Sequence, residues 1–144
     1  MNNSTASQRM DINELHYHQD DNGNEVLCAP NSVPFTGVVY EALSSGSLTA
    51  EYELKKGLKD GIEKDYYSEG VLERLAHYRE GQLHGAVIYY YPNGQPKEKS
   101  VFEYDICIEE FEWDENGVLT HHEVLELEKF QRTILERLRR ENGW

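Results

Sequence analysis

The motif Gly57-Leu58-Lys59-Asp60-Gly61 recurs as Gly81-Gln82-Leu83-His84-Gly85, 24 residues further along the chain. The same period extends to both sides of this pair. Glycines hold it at positions 37, 61 and 85 and again at 46, 70 and 94, and a third column runs Gly57, Gly81 and Asp105. Asp tolerates left-handed turn positions better than most residues, so it can stand where the column loses its glycine. A fixed period of this length predicts an array of structural repeats.

Each repeat has the pattern of two strands joined by a tight turn. Leu48, Ala50, Tyr52 and Leu54 alternate with polar residues, which is typical of a strand with one buried and one wet face. The turns contain pairs such as Asn93-Gly94, a strong signal for a short hairpin. The predicted fold class is therefore mainly β. We expect an elongated, twisted antiparallel sheet of about ten strands, built from hairpin repeats and followed by a C-terminal α-helix.

The chain divides into three segments at the ends of the periodic pattern. We expect residues 1–12 to be disordered or loosely ordered, residues 13–120 to form the repeat sheet, and residues 121–144 to form an amphipathic helix that packs on the sheet. The apolar stripe of this helix consists of Leu127, Phe130, Ile134 and Leu138, with Val124 and Leu135 at its margins. The alternative for the helix is a role in dimerisation or in binding a partner.

The composition excludes several classes of partner. The 144 residues hold 14 Lys plus Arg and 27 Asp plus Glu, which gives a formal net charge of −13. Nucleic acids and anionic membranes are bound mainly through basic side chains, so neither is an expected partner. A basic protein or a neutral ligand remains compatible with this charge, and the sequence leaves the oligomeric state open.

No segment of the sequence has the pattern of an export signal or a membrane span. The longest apolar run, Ala86–Tyr91, is far shorter than the roughly 20 residues that cross a bilayer. No apolar segment follows Arg9 as it would in a secretory signal, so we expect a cytoplasmic protein. Cys28 and Cys107 have no partner pattern and are expected to be free thiols in a reducing compartment.

Motifs for catalysis, cofactors or metals are missing from the sequence. It contains no phosphate-binding loop, no nucleophile elbow, no CxxC pair and no zinc-protease motif. The pairs His16/His18 and His121/His122 have no thiol or carboxylate at complementary local spacing, so no metal site is expected. Ser45 lies in a turn without a neighbouring base. We predict a protein that is not an enzyme and that needs no cofactor.

The negative charge is concentrated at the end of the repeat array. Residues 121–144 sum to zero, so the whole −13 belongs to residues 1–120, and the acids are densest from Glu103 to Glu115. The predicted partner-binding residues are Glu103, Tyr104, Asp105, Glu109, Glu110, Phe111, Glu112, Trp113 and Asp114, together with Tyr67, Tyr89 and Tyr91 from other strands. An acidic surface with aromatic anchors would steer and hold a basic protein. Alternatively, the acids deter edge-to-edge pairing of sheets and the tyrosines form cross-strand ladders.

Four short motifs resemble those of a known family. They are Pro34-Phe35-Thr36-Gly37, residues 57–61, residues 81–85 and Tyr91-Pro92-Asn93-Gly94. In these motifs the chain resembles the bacterial MORN-repeat-variant proteins that are described as antitoxins. The resemblance implies an immunity protein that binds a cognate toxin and blocks its activity by steric and electrostatic occlusion. The last unit departs from the pattern, since Asp105 and Glu109 replace its junction glycines. The alternative function is a non-catalytic interaction scaffold or oligomerisation module without a toxin partner.

Overall fold

Successive hairpins make up the computed structural model, which describes residues 8–144. The strands are β1 Arg9–Asp11, β2 His16–Gln19, β3 Glu25–Cys28, β4 Gly37–Ala42, β5 Leu48–Lys55, β6 Leu58–Tyr66, β7 Leu72–Arg79, β8 Gln82–Tyr90, β9 Pro96–Glu103, β10 Ile106–Trp113 and β11 Leu119–Val124. A 3-10 turn, Ile12–Glu14, follows β1, and the α-helix α1, Lys129–Asn142, follows β11. Residues 1–7, part of the segment predicted to be loosely ordered, lie outside the described residues.

The strands of the described residues form two sheets. A nine-stranded sheet has the order β1-β4-β5-β6-β7-β8-β9-β10-β11, and β2 pairs with β3 in a separate hairpin. From β4 to β11, each strand pairs antiparallel with the next strand of the chain, while β1 pairs parallel with β4. The predicted fold class, a mainly β array of hairpins with a C-terminal helix, is therefore confirmed.

The junction glycines are required because side chains of the neighbouring strand cross over them. Gly61 has a φ of 117°, and a Cβ there would lie 3.1 Å from the Cβ of Glu53. The Glu53 carboxylate accepts a hydrogen bond from the Ile62 N–H at 2.6 Å. One repeat later, Gly85 has a φ of 116°, and a Cβ there would lie 3.1 Å from the Cβ of His77. The glycine column thus reflects one close contact that the array repeats.

Asp105 occupies the turn position that Gly57 and Gly81 hold in earlier repeats. Its φ of 64° follows a φ of 49° at Tyr104, and two consecutive positive φ values are those of a type I′ hairpin turn. The Asp105 carboxylate also accepts a hydrogen bond from the Leu83 N–H at 2.7 Å. A glycine could not supply this acceptor, so the side chain of Asp105 ties the last turn to the preceding repeat.

Cross-strand partners lie on the same face of a sheet, and this rule defines the two faces of the array. Face 1 carries a line of partners formed by Val39, Tyr52, Glu63, Ala76, Val87, Ser100, Glu110 and Glu123. Face 2 carries the line Tyr40, Glu51, Lys64, Leu75, Ile88, Lys99, Phe111 and His122. Charged residues lie on both faces, so neither face is purely apolar.

The hairpin β2–β3 covers face 1 at its first strands. Leu27 and Phe35 form a buried cluster with Val39, Tyr52 and Leu54. Met10, Ile12, Leu15 and Ala29 pack around this cluster. Residues 9–14 therefore form a strand and a turn. This corrects the prediction of a loosely ordered segment over residues 1–12 in its described part, residues 9–12. The physical reason is that this short segment both packs apolar side chains against the core and pairs its backbone with β4.

The C-terminal helix is shorter than the predicted helix over residues 121–144, so that prediction is wrong in its first residues. Residues 119–124 extend the sheet as β11, and α1 begins only at Lys129. Its start is fixed by a capping box, in which the side chain of Gln131 accepts a hydrogen bond from the Glu128 N–H at 2.9 Å. Leu135, at the margin of the predicted stripe, is buried, whereas Phe130 within the stripe is 63% exposed.

In the described part of the chain, no helix is long and apolar enough to cross a bilayer.

Contacts at the C-terminal end of α1 explain why Leu135 rather than Phe130 faces the protein. Arg139 donates two hydrogen bonds to the Glu103 carboxylate, at 2.7 and 2.9 Å. The Tyr104 hydroxyl donates to the carbonyls of Leu138 and Trp144, and the rings of Tyr104 and Trp144 stack with centroids 4.6 Å apart. The helix is thus held through its C-terminal end, and its first turns remain largely exposed.

Candidate protein-binding surface

The acidic segment of β10 is divided between the two faces of the sheet. Glu110 and Glu112 lie on face 1, because they pair with Ser100 and Glu98. Phe111 pairs with Lys99 and lies on face 2. The sequence places acids and aromatic rings side by side, but the alternation of a strand sends them in opposite directions. The predicted surface of interleaved acids and aromatics therefore separates into an acidic part and an aromatic part.

Several of the predicted partner-binding residues make hydrogen bonds within the protein. Tyr104 is 3% exposed and binds the end of α1, and Asp105 accepts from Leu83. Glu103 is paired with Arg139, and the hydrogen bond from that guanidinium lowers the pKa of Glu103 below its ordinary value. Asp114 accepts hydrogen bonds from two backbone N–H groups of the β10–β11 turn, at 2.9 and 3.0 Å. These side chains stabilise the last repeat.

The predicted tyrosines fall into two groups. The hydroxyl of Tyr67 donates to the carbonyl of Tyr90 at 2.7 Å, and that of Tyr91 donates to the carbonyl of Trp113 at 2.9 Å. Tyr67 and Tyr91 thus link each repeat to the next one. Tyr89 is different, because it lies on face 1 opposite Glu98 and is 42% exposed. Of the predicted tyrosines, Tyr89 is the one that the structure leaves beside the acids of face 1.

The acidic surface comprises Tyr89, Glu98, Glu110, Glu112 and Glu123 on face 1 of β8 to β11. Glu98 lies directly opposite Glu112, and Glu110 lies directly opposite Glu123. Side chains in such positions are about 5 Å apart at their Cβ atoms, and like charges there destabilise the sheet. The structure therefore brings together carboxylates that repel one another.

Few cations compensate the acidic surface. Among the described residues, the basic side chains within 4 Å of its carboxylates are Lys97, with Nζ 3.4 Å from Glu98, and the imidazole of His121, with Nε2 3.6 Å from Glu123. Both partners have side chains that are 44% or more exposed, so these pairs contribute little to stability. Cys107 lies next to the surface, where burial and the charge of Glu110 raise the pKa of its thiol. The surface keeps a net negative charge.

The middle of face 1 carries a different arrangement, the paired cluster Lys59, Glu63, Asp65, Arg74 and Tyr78. Glu63 is 7% exposed and accepts hydrogen bonds from Lys59 and, at 2.9 Å, from Arg74. Arg74 also donates to Asp65 at 3.0 Å. Burial alone would raise the pKa of Glu63, but the hydrogen bonds from Lys59 and Arg74 outweigh it and lower that pKa. Every acid of this cluster has a cation beside it.

Face 2 carries an aromatic stack near the end of the sheet. The ring of Phe111 stacks on His122 with centroids 4.3 Å apart and lies parallel to Trp113 at 5.8 Å. The Nε2 of His122 is 2.8 Å from a carboxylate oxygen of Glu109, and Lys99 lies over the Phe111 ring. Glu109, the acid of β10 beside this stack, thus has a hydrogen-bond partner within the protein. Within residues 8–144, no group of three or more His, Cys, Asp or Glu has an arrangement suited to a metal ion.

Sequence reasoning missed Glu98, Glu123 and His122. The first two belong to the acidic surface, and the third belongs to the aromatic stack. A period-2 alternation could have placed Glu98 beside Glu112, provided that the hairpin register was known. The register of β10 contains a shift between Cys107 and Glu109, which no local pattern in the sequence indicates.

Two hairpins in the middle of the array match a known family. Residues 59–80 and 83–104 match the MORN repeat variant. The first MORN match covers the hairpin β6–β7, and the second covers β8–β9. MORN repeats suggest a protein-interaction module, and the family is generally non-catalytic. Comparison with curated proteins and with solved structures gives no match.

The acidic surface lies at the boundary of the matched MORN repeats. Tyr89 and Glu98 belong to the second match, whereas Glu110, Glu112 and Glu123 lie on β10 and β11 beyond it. The repeats therefore supply the scaffold and one side of the surface. The strands that follow them supply most of its charge.

Proposed function

We propose that this protein is an immunity protein, or antitoxin, that binds a basic toxin through the acidic surface and blocks the toxin's activity by steric and electrostatic occlusion in the cytoplasm. The matches to the MORN repeat variant support the general role of a protein-interaction module. The resemblance of the motifs to bacterial antitoxins supports the more specific role. A basic toxin accounts for a surface on which carboxylates lie in opposed pairs.

The observation that carries the proposal is the opposition of Glu98 to Glu112 and of Glu110 to Glu123. Each opposed pair costs about 0.2–1 kcal/mol in the free protein. A partner that places Lys or Arg between the carboxylates removes this cost when it binds. The repulsion in the free protein thus becomes part of the driving force for the complex.

Tyr89 provides an anchor within this charged surface. Tyrosine contributes a large apolar ring together with a polar hydroxyl, and it is common among the residues that dominate binding energies. The surrounding carboxylates raise the rate at which a basic partner arrives, and salt screens this effect. We therefore expect association to be fast at low ionic strength and to slow as salt is added.

The test is binding to the product of the adjacent gene, with matched variants. The variant Glu110→Lys/Glu112→Lys reverses two charges on the acidic surface, and the control Glu25→Lys/Glu69→Lys reverses two exposed charges on β3 and in the β6–β7 turn. We expect the first variant to associate about tenfold or more slowly, with a weaker salt dependence, and to lose protection of cells that express the toxin. The control should keep both properties.

The same measurements can overturn the proposal. If the wild-type protein neither binds that gene product nor protects cells from it, the immunity function is wrong. If it binds and both variants associate equally fast, the acidic surface is not the interface.

A further inference from the structure

The two edge strands of the nine-stranded sheet differ in length and in solvent exposure. One edge is β1, which has three residues and continues directly into the 3-10 turn at Ile12. The other edge is β11, Leu119–Val124, and all six of its residues are exposed. At about 3.4 Å per residue, β11 offers an open edge of roughly 20 Å.

The backbone of β11 presents unpaired groups to the outside. The N–H of Leu125 donates to the carbonyl of Ile108 at 3.0 Å, so this residue faces β10. In an antiparallel strand the direction of the N–H and C=O groups alternates, so His121 and Glu123 face β10 as well. The N–H and C=O groups of Thr120, His122 and Val124 therefore point away from the sheet, where the described residues place no further strand.

Natural sheets usually protect such an edge with charged side chains, above all Lys, with Pro or a β-bulge, or with a covering element. The acid Glu123 on β11 is a charge of this kind, and it opposes pairing with an acidic strand but not with a basic one. The sequence of β11 contains neither Lys nor Pro, and α1 does not cover it, since its residues are exposed throughout. Val124 is 70% exposed, which is more than any other large apolar side chain described. The edge is therefore both open and partly apolar.

We propose that β11 accepts one extended strand of the partner, with Lys or Arg facing face 1 and apolar side chains facing face 2. On face 1 the incoming side chains would lie opposite His121 and Glu123, next to the acidic surface. On face 2 they would lie opposite Thr120, His122 and Val124. This inference rests on the proposed function and specifies how the partner is held, by strand addition to the sheet.

The charge of the protein favours a basic strand over a second copy of the chain. Two copies that paired edge to edge would each bring a net charge of −13 and would place the carboxylates of Glu123 and Glu110 near the same junction. A basic strand meets the same carboxylates with opposite charge. Charge complementarity thus selects the occupant of this edge.

A peptide probe tests strand addition without knowledge of the partner. The probe is the blocked peptide Lys-Val-Lys-Val-Lys-Val-Lys. The control is the same peptide with every backbone nitrogen methylated, which keeps the charge but leaves no N–H group to donate to a neighbouring strand. The readout is hydrogen exchange of the amides of Thr120, His122 and Val124. At a probe concentration about ten times its Kd, we expect these amides to exchange about tenfold more slowly, and the methylated peptide to leave them unchanged.

Two outcomes of this experiment overturn the inference. If both peptides bind equally and neither slows these amides, the attraction is one of charge alone. If the amides are already protected in the free protein in proportion to its concentration, a second copy occupies the edge.

A variant of the protein separates this inference from the proposed function. Val124→Pro removes one outward N–H, and Val124→Thr keeps it. We expect the proline variant to bind the adjacent gene product about tenfold more weakly and the threonine variant to bind it normally. If the gene product binds and responds to Glu110→Lys/Glu112→Lys, but the β11 amides stay unprotected, strand addition is wrong and the immunity function stands. If the gene product does not bind at all, the proposed function itself fails.

Discussion

The middle and the end of face 1 use the same sheet positions for opposite purposes. In the hairpin β6–β7, Asp65 lies opposite Arg74 and the two form an ion pair of 3.0 Å. One repeat later, Glu98 occupies the position of Arg74, and β10 places Glu112 opposite it. A single column of the repeat thus changes from positive to negative. The paired cluster contributes to stability, whereas the acidic surface has a stability cost.

Burial explains why the two regions can differ. Glu63 is 7% exposed, and an ion at that depth needs counter-charges and hydrogen bonds. The side chains of Glu98 and Glu123 are 49% and 55% exposed, so water and salt screen their charge. An array of hairpins can therefore keep unbalanced acids at an open end at small cost. An unpaired acid at the depth of Glu63 would destabilise the fold.

Of the predicted changes in stability, the largest should come from removing Arg74, the cation of the paired cluster. Arg74→Ala leaves Glu63 and Asp65 without their main cation, and breaking a buried pair in this way costs about 3–5 kcal/mol of unfolding free energy. Urea unfolding followed by circular dichroism measures the loss. Glu112→Ala serves as the control and should not destabilise the protein. A loss below about 1 kcal/mol for Arg74→Ala would show that the paired cluster is not a stabilising element.

The next largest effect should be a pH-dependent stability that comes from the paired cluster and not from the acidic surface. The pKa of Glu63 is lowered in the folded protein from its ordinary 4.5, so its ionised form stabilises the fold above that pH. This stabilisation is lost as the pH falls through the folded pKa. We expect Glu63→Gln to be about 1–3 kcal/mol less stable than wild type at pH 7, with a gap that shrinks below about pH 4. Glu112→Gln, as the control, should lose no stability at pH 7. A gap for Glu63→Gln that does not change with pH would contradict the assignment.

The tyrosines provide a smaller test on the same hairpins. Tyr91→Phe removes the hydrogen bond to the carbonyl of Trp113 and should cost about 1 kcal/mol. Tyr89→Phe should leave the stability unchanged, because the exposed Tyr89 lies in the acidic surface, and should weaken partner binding instead. Thermal unfolding and partner binding, measured on both variants, distinguish the structural role of Tyr91 from the binding role of Tyr89. Equal losses of stability would show that both tyrosines belong to the structural ladder.

The sequence predicts the array far better than it predicts the surface. The glycine columns mark the hairpin turns and junctions from β4 to β9, since these positions need positive φ or close packing over the chain. The order of residues 9–14 could not be predicted, because it depends on packing against β4 and the N-terminal hairpin. The orientation of α1 could not be predicted either, since Tyr104 and Trp144 are distant in sequence and meet only in the fold.

The sequence shows where the acidic stretch lies along the chain, but it does not assign its residues to a face of the sheet. The face of a residue in β10 depends on the register shifts at Cys107/Glu109 and at Glu112/Trp113, and one such shift moves side chains to the other side. Glu98 and Glu123 joined the surface only through pairing with β10. Whether Tyr89 and the acids bind a partner remains a prediction.

Reversing one charge of the acidic surface should have the smallest effect on stability and the opposite sign. Glu112→Lys places a cation opposite Glu98 in β9, so we expect a gain of about 0.5 kcal/mol at low ionic strength. In about 1 M salt the Debye length falls to about 3 Å and the gain should vanish. Glu69→Lys, in the β6–β7 turn, is the control for a change in net charge without an opposed partner. A gain that persists in high salt would come from packing rather than charge. A gain that disappears in salt would show that the charge at position 112 interacts electrostatically with the strand beside it.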